Sequence, residues 1–330
     1  MTITDNAVLI EVLSKTSVTI NLYASVIIFV FGVVGNTLNI FVLTQRTLRS
    51  VPCIFLFLIS SIANLISIII GLTPRIAATW ELDITATYDI PCKLRAFITF
   101  SSRAVALWLN TLATIDRYMI SSSNHHCRQL SSLKNAQKGS LAIAIISIIL
   151  YAPMLYCYKA NLNYTPLKCY GNSRSCRILT DTTYACYSVL CPLALMTIFG
   201  IMTILNIRKS RDYSESLTPT VAKYLSREST ILLNRQKQRW KRLNCYLCRM
   251  LALQTILFIL LTVPQTIHKI YFTVASNKYS SSLEYDFDRF LYKFELLLPF
   301  IESALPFYIY ILTGGKIFRK ALKKLFLCSK

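Results

Sequence analysis

Hydrophobic residues along this chain come in long blocks separated by shorter polar stretches. Five intervals hold no Lys, Arg, Asp or Glu at all: Thr16 to Gln45, Ser50 to Pro74, Gly139 to Tyr158, Thr182 to Ile207 and Met250 to His268. Each accommodates a helix of about 20 residues, the length that crosses a bilayer core of about 30 Å. Two further blocks, around Lys93 to Ile115 and Phe290 to Leu312, are as apolar apart from a few charges. The pattern predicts an all-α membrane protein, a seven-transmembrane helix bundle over 18–314. A tail at 1–17 precedes it, and a long polar loop interrupts it at about 208–243. After the last span, Ile317, Phe318, Ala321, Leu322, Leu325 and Phe326 form one apolar stripe, with Lys316, Arg319, Lys320, Lys323 and Lys324 elsewhere. That spacing predicts a short amphipathic eighth helix lying on the membrane within 315–330.

Composition agrees with lipid as the solvent: 54% of residues are hydrophobic and 15% charged, where soluble domains carry about a quarter charged. The net charge of +21 is distributed by loop. Arg46, Arg49, Arg128, Lys134, Lys138, the run from Arg208 to Arg249 and the tail from Lys316 to Lys330 fall on one side. Most acids, including Asp5, Glu11, Asp83, Asp89, Asp181, Glu284 and Glu295, fall on the other. The positive-inside rule then puts the N-terminus outside and the C-terminus in the cytoplasm, and it accounts for the charge without nucleic acid as a partner. The first apolar block is too long for a secretory signal and no basic segment precedes it, so the tail is expected to stay outside.

Cys92 and Asp116-Arg117-Tyr118 stand at opposite ends of the third span, since the interval from Cys92 to Arg117 is roughly 37 Å of helix. Among the outer cysteines, Cys92 can bridge to Cys169, with Cys176 as the alternative. Asn163-Tyr164-Thr165 is an N-glycosylation acceptor in the same outer loop. Cys245 and Cys248 lack a second ligand pair, so they read as ordinary helix residues. No metal site, cofactor or nucleophile, base and orienter set is expected, and hence no enzyme. Cys328 is a candidate for palmitoylation. Charges at bilayer depth are functional candidates by default. Arg103 lies 14 residues before Arg117, and Glu302 the same interval before Lys316, so both should sit roughly 21 Å deep. They are expected to pair, or to bind complementary groups of a ligand together. Arg75, Arg95, His268, Tyr271 and Glu295 are expected higher in the same cavity, a lining suited to a small peptide with charged and aromatic ends.

From Val18 to Cys328 the chain resembles a rhodopsin-like (class A) G-protein-coupled receptor. The resemblance rests on Gly35-Asn36 in the first span, Asp116-Arg117-Tyr118 after Cys92, and Pro192 and Pro264 in the fifth and sixth spans. Phe258 before the latter and Pro306-Phe307-Tyr308-Ile309-Tyr310 in the seventh complete it. Two registers fit that last motif: one places Pro306 at the family's proline, the other Tyr310 at its tyrosine. The second, with Gly314 and Phe318-Arg319 following, resembles receptors for FMRFamide-type neuropeptides. Departures are Asn64 and Ala106, against a bound sodium ion, and Thr262, Asn244 and Gly200 in the switching helices. Thr99 replaces the aspartate of monoamine receptors. The resemblance implies a plasma-membrane receptor for an extracellular ligand, a neuropeptide, coupled to a heterotrimeric G protein. Arg117 and its neighbours Asp116 and Tyr118 would switch with Phe258, Pro264 and Tyr310 as the sixth helix moves outward. Membrane lipids are further partners, through Arg235-Gln-Lys-Gln-Arg-Trp-Lys-Arg242 and the eighth helix. A small-molecule chemosensory receptor and a transporter are the competing readings.

Overall fold

The computed structural model describes residues 3–45, 50–80, 82–162, 165, 167–221, 227–275, 282–313 and 315–327. Asn163 and Cys328, the expected glycosylation and lipidation positions, lie outside them. Four long helices come first: α1 (Ile3–Leu43), α2 (Pro52–Ala77), α3 (Asp89–Ser121) and α4 (Leu133–Tyr151). Helix α1 begins well before the expected boundary at Val18, because no Gly or Pro occurs between Ile3 and Phe31 to stop a helix from propagating. Pro52 opens α2, where its missing N–H costs nothing. Ser132 caps α4 by accepting from the Asn135 amide at 3.3 Å.

The fifth rod starts as Arg174–Thr183, widens into a π-helical turn at Tyr184–Leu190 and continues as α5 (Cys191–Val221). Pro192 sits just past the wide turn; lacking an N–H, it cannot continue the ordinary ladder to Ser188. Helix α6 (Arg227–Ala275) runs unbroken through Pro264. The seventh rod is divided into α7 (Ser282–Glu295), α8 (Leu298–Ala304) and α9 (Pro306–Thr313), with a 45° bend at Leu305. Pro306 removes the amide that would have bonded to the Glu302 carbonyl, and the chain turns there. Helix α10 (Gly315–Leu327) follows. Phe318 and Ala321 are buried while Arg319, Lys320 and Lys323 are exposed, as the amphipathic stripe requires.

Five of these rods are long and apolar enough to cross a membrane, and the bent seventh makes six. The remaining one, α3, spans 33 residues, about 50 Å of helix, but Arg103 and polar residues such as Ser101, Ser102, Asn110 and Thr111 lower the hydropathy of its middle, and further charges stand towards its ends. Those charges turn inward: Arg103, Asp116 and Arg117 are all buried. Helix α3 packs against α2, α4, α5 and α6, so it is the central rod, shielded from lipid by its neighbours. The peripheral helices show the reverse pattern, with Phe41, Leu141, Ile149, Leu205 and Leu260 exposed on the bundle's outside. An apolar outside and a polar inside define a multi-pass membrane protein.

A two-stranded antiparallel hairpin, β1 (Tyr158–Lys159) with β2 (Tyr170–Gly171), lies across one end of the bundle. Two disulfides fasten it: Cys92 to Cys169, and Cys157 to Cys176. Cys176 therefore pairs with Cys157, a residue taken by the sequence pattern for part of the fourth span. The Asp89 carboxylate accepts from the Ala160 amide at 2.8 Å, tying the hairpin to the first turn of α3.

Candidate functional site

At the disulfide end the helices leave a cavity of about 660 Å³, opening between α1, α2, α3, α7 and the hairpin. A smaller chamber of about 60 Å³ continues deeper. The two share Arg75, Arg95, Leu167 and Cys169 as walls, so the wide part is the mouth and the small part its floor. Phe300 on α8 supports the floor. Its ring rests directly on Gly71 of α2, where a Cβ would come within 2.5 Å of the ring, so only glycine leaves room. Two guanidinium groups stack over that ring, Arg103 at 5.7 Å and Arg75 at 5.9 Å from its centroid.

Of the residues singled out from the sequence, Arg75, Arg95, Thr99 and Arg103 line this cavity together. The other four do not. His268 and Glu295 form an ion pair at 2.7 Å that joins α6 to α7, and Tyr271 is exposed. Glu302 is buried within α8. Among the described residues, no hydrogen bond or ion pair within 4.0 Å links Arg103 to Glu302. Instead the Arg103 Nε and Nη2 atoms are buried without a hydrogen-bond partner. The aromatic Phe300, rather than the carboxylate, lies under the guanidinium, and Glu302 acts on Arg103 only through longer-range electrostatics.

The most deeply placed cation was not anticipated. Lys269 of α6 lines the floor and is about 1% exposed. Its Nζ lies 3.0 Å from the Asp181 carboxylate, 4.6 Å from the Phe100 ring centroid and 4.8 Å from that of Tyr184. Thr273 donates to the other oxygen of Asp181. Asp181 belongs to the Arg174–Thr183 segment, so this cluster clamps α6 to the fifth rod. A signal did exist in the sequence: the charge-free interval of the sixth span ends one residue before Lys269, still well inside the helical pattern. Tyr170 of β2 also faces the floor, and burial pushes its hydroxyl well above its usual range, so it contributes no negative charge.

The opposite end holds the Asp-Arg-Tyr element. Arg117 pairs with the adjacent Asp116, Nε to Oδ2 being 3.2 Å, and the other Asp116 oxygen accepts from Ser131. Both residues are buried. Tyr118 packs on Phe199 of α5 with ring centroids 5.2 Å apart. Tyr310 of α9 is fully buried, accepts from Gln254 of α6 at 3.2 Å, and touches Phe57 and Phe318. Asn36 of α1 donates to the Ser303 carbonyl at 3.0 Å. Phe258 lies in a buried group with Leu107, Tyr184 and Val189, between the two ends. A cleft of about 230 Å³ separates α5 from α6 beside Arg117, and Gly200 leaves part of it open. The side chain of Asn244 lies outside the described residues.

The bundle thus has an inward-facing polar axis, with a basic cavity at one end and the buried Asp116 and Arg117 pair at the other. The family model of the 7 transmembrane receptor (rhodopsin family) matches residues 35–310, and the chain belongs to that family. It is a family of signalling receptors rather than enzymes. No match was found among curated proteins.

Proposed function

We propose that this chain is a plasma-membrane receptor whose disulfide end faces outward and binds an extracellular peptide, and whose Arg117 end activates a heterotrimeric G protein. The observation that carries this reading is the membership of the family together with the placement of cavity and switch at opposite ends of α3. The mouth, about 660 Å³ and rimmed by charged and polar groups with Val18, Leu22 and Leu167 between them, suits the end of a small peptide. In the resting arrangement Arg117 is held by Asp116, and the Gln254 to Tyr310 hydrogen bond holds α6 against α9. A ligand that binds better when α6 has swung outward shifts the equilibrium toward that state. The Arg117 guanidinium then becomes available to a G-protein segment. Helix α6 is equipped for such leverage: Lys269 faces the ligand floor and Cys248 faces the cleft beside Arg117. The two positions share one continuous helix.

The test is G-protein activation in cells expressing the chain, screened against an extracellular peptide library, with Arg117→Ala at matched surface expression. A ligand response lost in Arg117→Ala supports the reading. A response that persists in Arg117→Ala, or ligand-driven ion or solute flux without G-protein activation, contradicts it.

A further inference from the structure

The cavity at the disulfide end is strongly asymmetric in charge. Its mouth is lined by Arg75, Arg95, Lys168, Arg289 and Lys293 against a single acid, Asp83. Its floor adds Arg103 and Lys269 and no carboxylate. Some of this charge is answered within the protein: Lys269 by Asp181, and Arg95 through a 2.7 Å hydrogen bond to the Thr85 hydroxyl. Arg103 is about 6% exposed; Glu302 opposes its charge from a distance, but among the described residues its Nε and Nη2 have no hydrogen-bond acceptor. Arg289, at the mouth, also has its Nε buried without an acceptor.

A buried ionised donor without an acceptor is among the most expensive features a fold can keep. Like charges facing one space add mutual repulsion. Both costs fall when an anion enters, because its oxygens supply the missing acceptors through charge-assisted hydrogen bonds, which guanidinium groups favour. The floor, about 60 Å³, takes a small head group, and the mouth takes the remainder of a ligand. Phe100, Tyr170 and Phe300 offer apolar and aromatic surface beside the head group.

We propose that the ligand is anionic at the end that enters first, with a carboxylate or phosphate seated at the floor against Arg103 and Lys269. This rests on the reading of the cavity as the ligand site. It also sets the chain apart from receptors for amidated Arg-Phe peptides, whose arginine would add one more cation to a basic cavity.

The experiment uses the full chain purified in detergent, with thermal unfolding followed at increasing concentrations of four probes. N-acetylphenylalanine and phenyl phosphate are the anions; N-acetylphenylalaninamide and phenethylammonium are the neutral and cationic counterparts. The expected result is stabilisation by an anion alone, at least tenfold weaker in Arg103→Gln and retained in part by Arg103→Lys. Preference for the carboxylate or for the phosphate identifies which head group the floor accepts. Equal stabilisation by the amide or the ammonium, an unchanged anion effect in Arg103→Gln, or no effect of either anion overturns the proposal. If Arg103→Gln does not fold, the four-probe comparison on the unaltered chain decides alone. Arg117-dependent signalling by a peptide, with neither anion binding, would overturn this inference and leave the signalling reading standing. Anion binding with no ligand-dependent signalling would do the reverse.

Discussion

Lys269 shows how much one side chain can depend on its surroundings. A lone ammonium at this depth costs several kcal/mol, yet here it has a carboxylate at 3.0 Å and two aromatic faces within 5 Å. Removing one partner should hurt more than removing both. Lys269→Met leaves Asp181 buried and uncompensated and is expected to cost about 3–5 kcal/mol, whereas Lys269→Met with Asp181→Leu should recover most of it. Thermal midpoints in detergent and surface expression of the two variants check this; a double variant as unstable as the single one would show that the pair is not what holds the cluster. Arg103 differs, since its guanidinium has an aromatic floor but lacks acceptors for two nitrogens. Under the proposal its donors meet the ligand's anionic group directly, while Lys269, already paired with Asp181, adds positive charge beside them. The sequence marked Arg103 because it interrupts an apolar block. Its signal for Lys269 was weaker, a charge one residue past the end of a block, and whether such a residue faces lipid or core depends on helix rotation.

Among the elements, the hairpin with its two disulfides is the one whose form the sequence left open. The Cys92 to Cys169 bridge closes a sequence separation of 77 and the Cys157 to Cys176 bridge one of 19. Loop-closure entropy makes the longer one worth about 4.5 kcal/mol and the shorter about 3 kcal/mol. Cys92→Ser should therefore lower the thermal midpoint more than Cys157→Ser. Non-reducing peptide mapping should recover both linkages and no Cys92 to Cys176 product. Pairing was ambiguous from the sequence because three cysteines near one membrane face allow several connectivities. Cys157 itself was hidden inside an apolar run that ends the fourth helix. The helices were more legible: five blocks without charge became five rods, with boundaries moved where proline acts. At Pro264 the chain stays helical, while at Pro306 it bends by 45°. The same residue type gave two outcomes because α8 is already short and Pro299 and Pro306 bracket it, whereas α6 is anchored on both sides of Pro264 by packing.

At the scale of the whole molecule, the charged residues of α3 link the two ends. The bundle places a basic cavity near Cys92 and a neutralised Asp116 and Arg117 pair about 37 Å along the same helix. Under the proposed orientation, an epitope added before Ile3 should be stained on intact cells, and one added after Lys330 only after permeabilisation. The opposite staining would reverse the assignment of ligand and G-protein ends. The asymmetry of basic loops supports that orientation, since Lys and Arg resist transfer across the bilayer during insertion.

The sequence by itself determined the class of the protein: runs of about 20 apolar residues have no stable home except a membrane-spanning helix, and their number and the loop charges follow from counting. It also determined which end of α3 carries Cys92 and which carries Arg117, because helical rise is fixed. Tertiary structure alone decided which charges meet. Each residue turns the helix by about 100°, and the π-helical turn before Pro192 and the bend at Pro306 change rotation and depth for every residue beyond them. For that reason Asp181 came to face Lys269, Phe300 came to rest on Gly71 beneath Arg103, and His268 and Glu295 joined two helices outside the cavity they were expected to line.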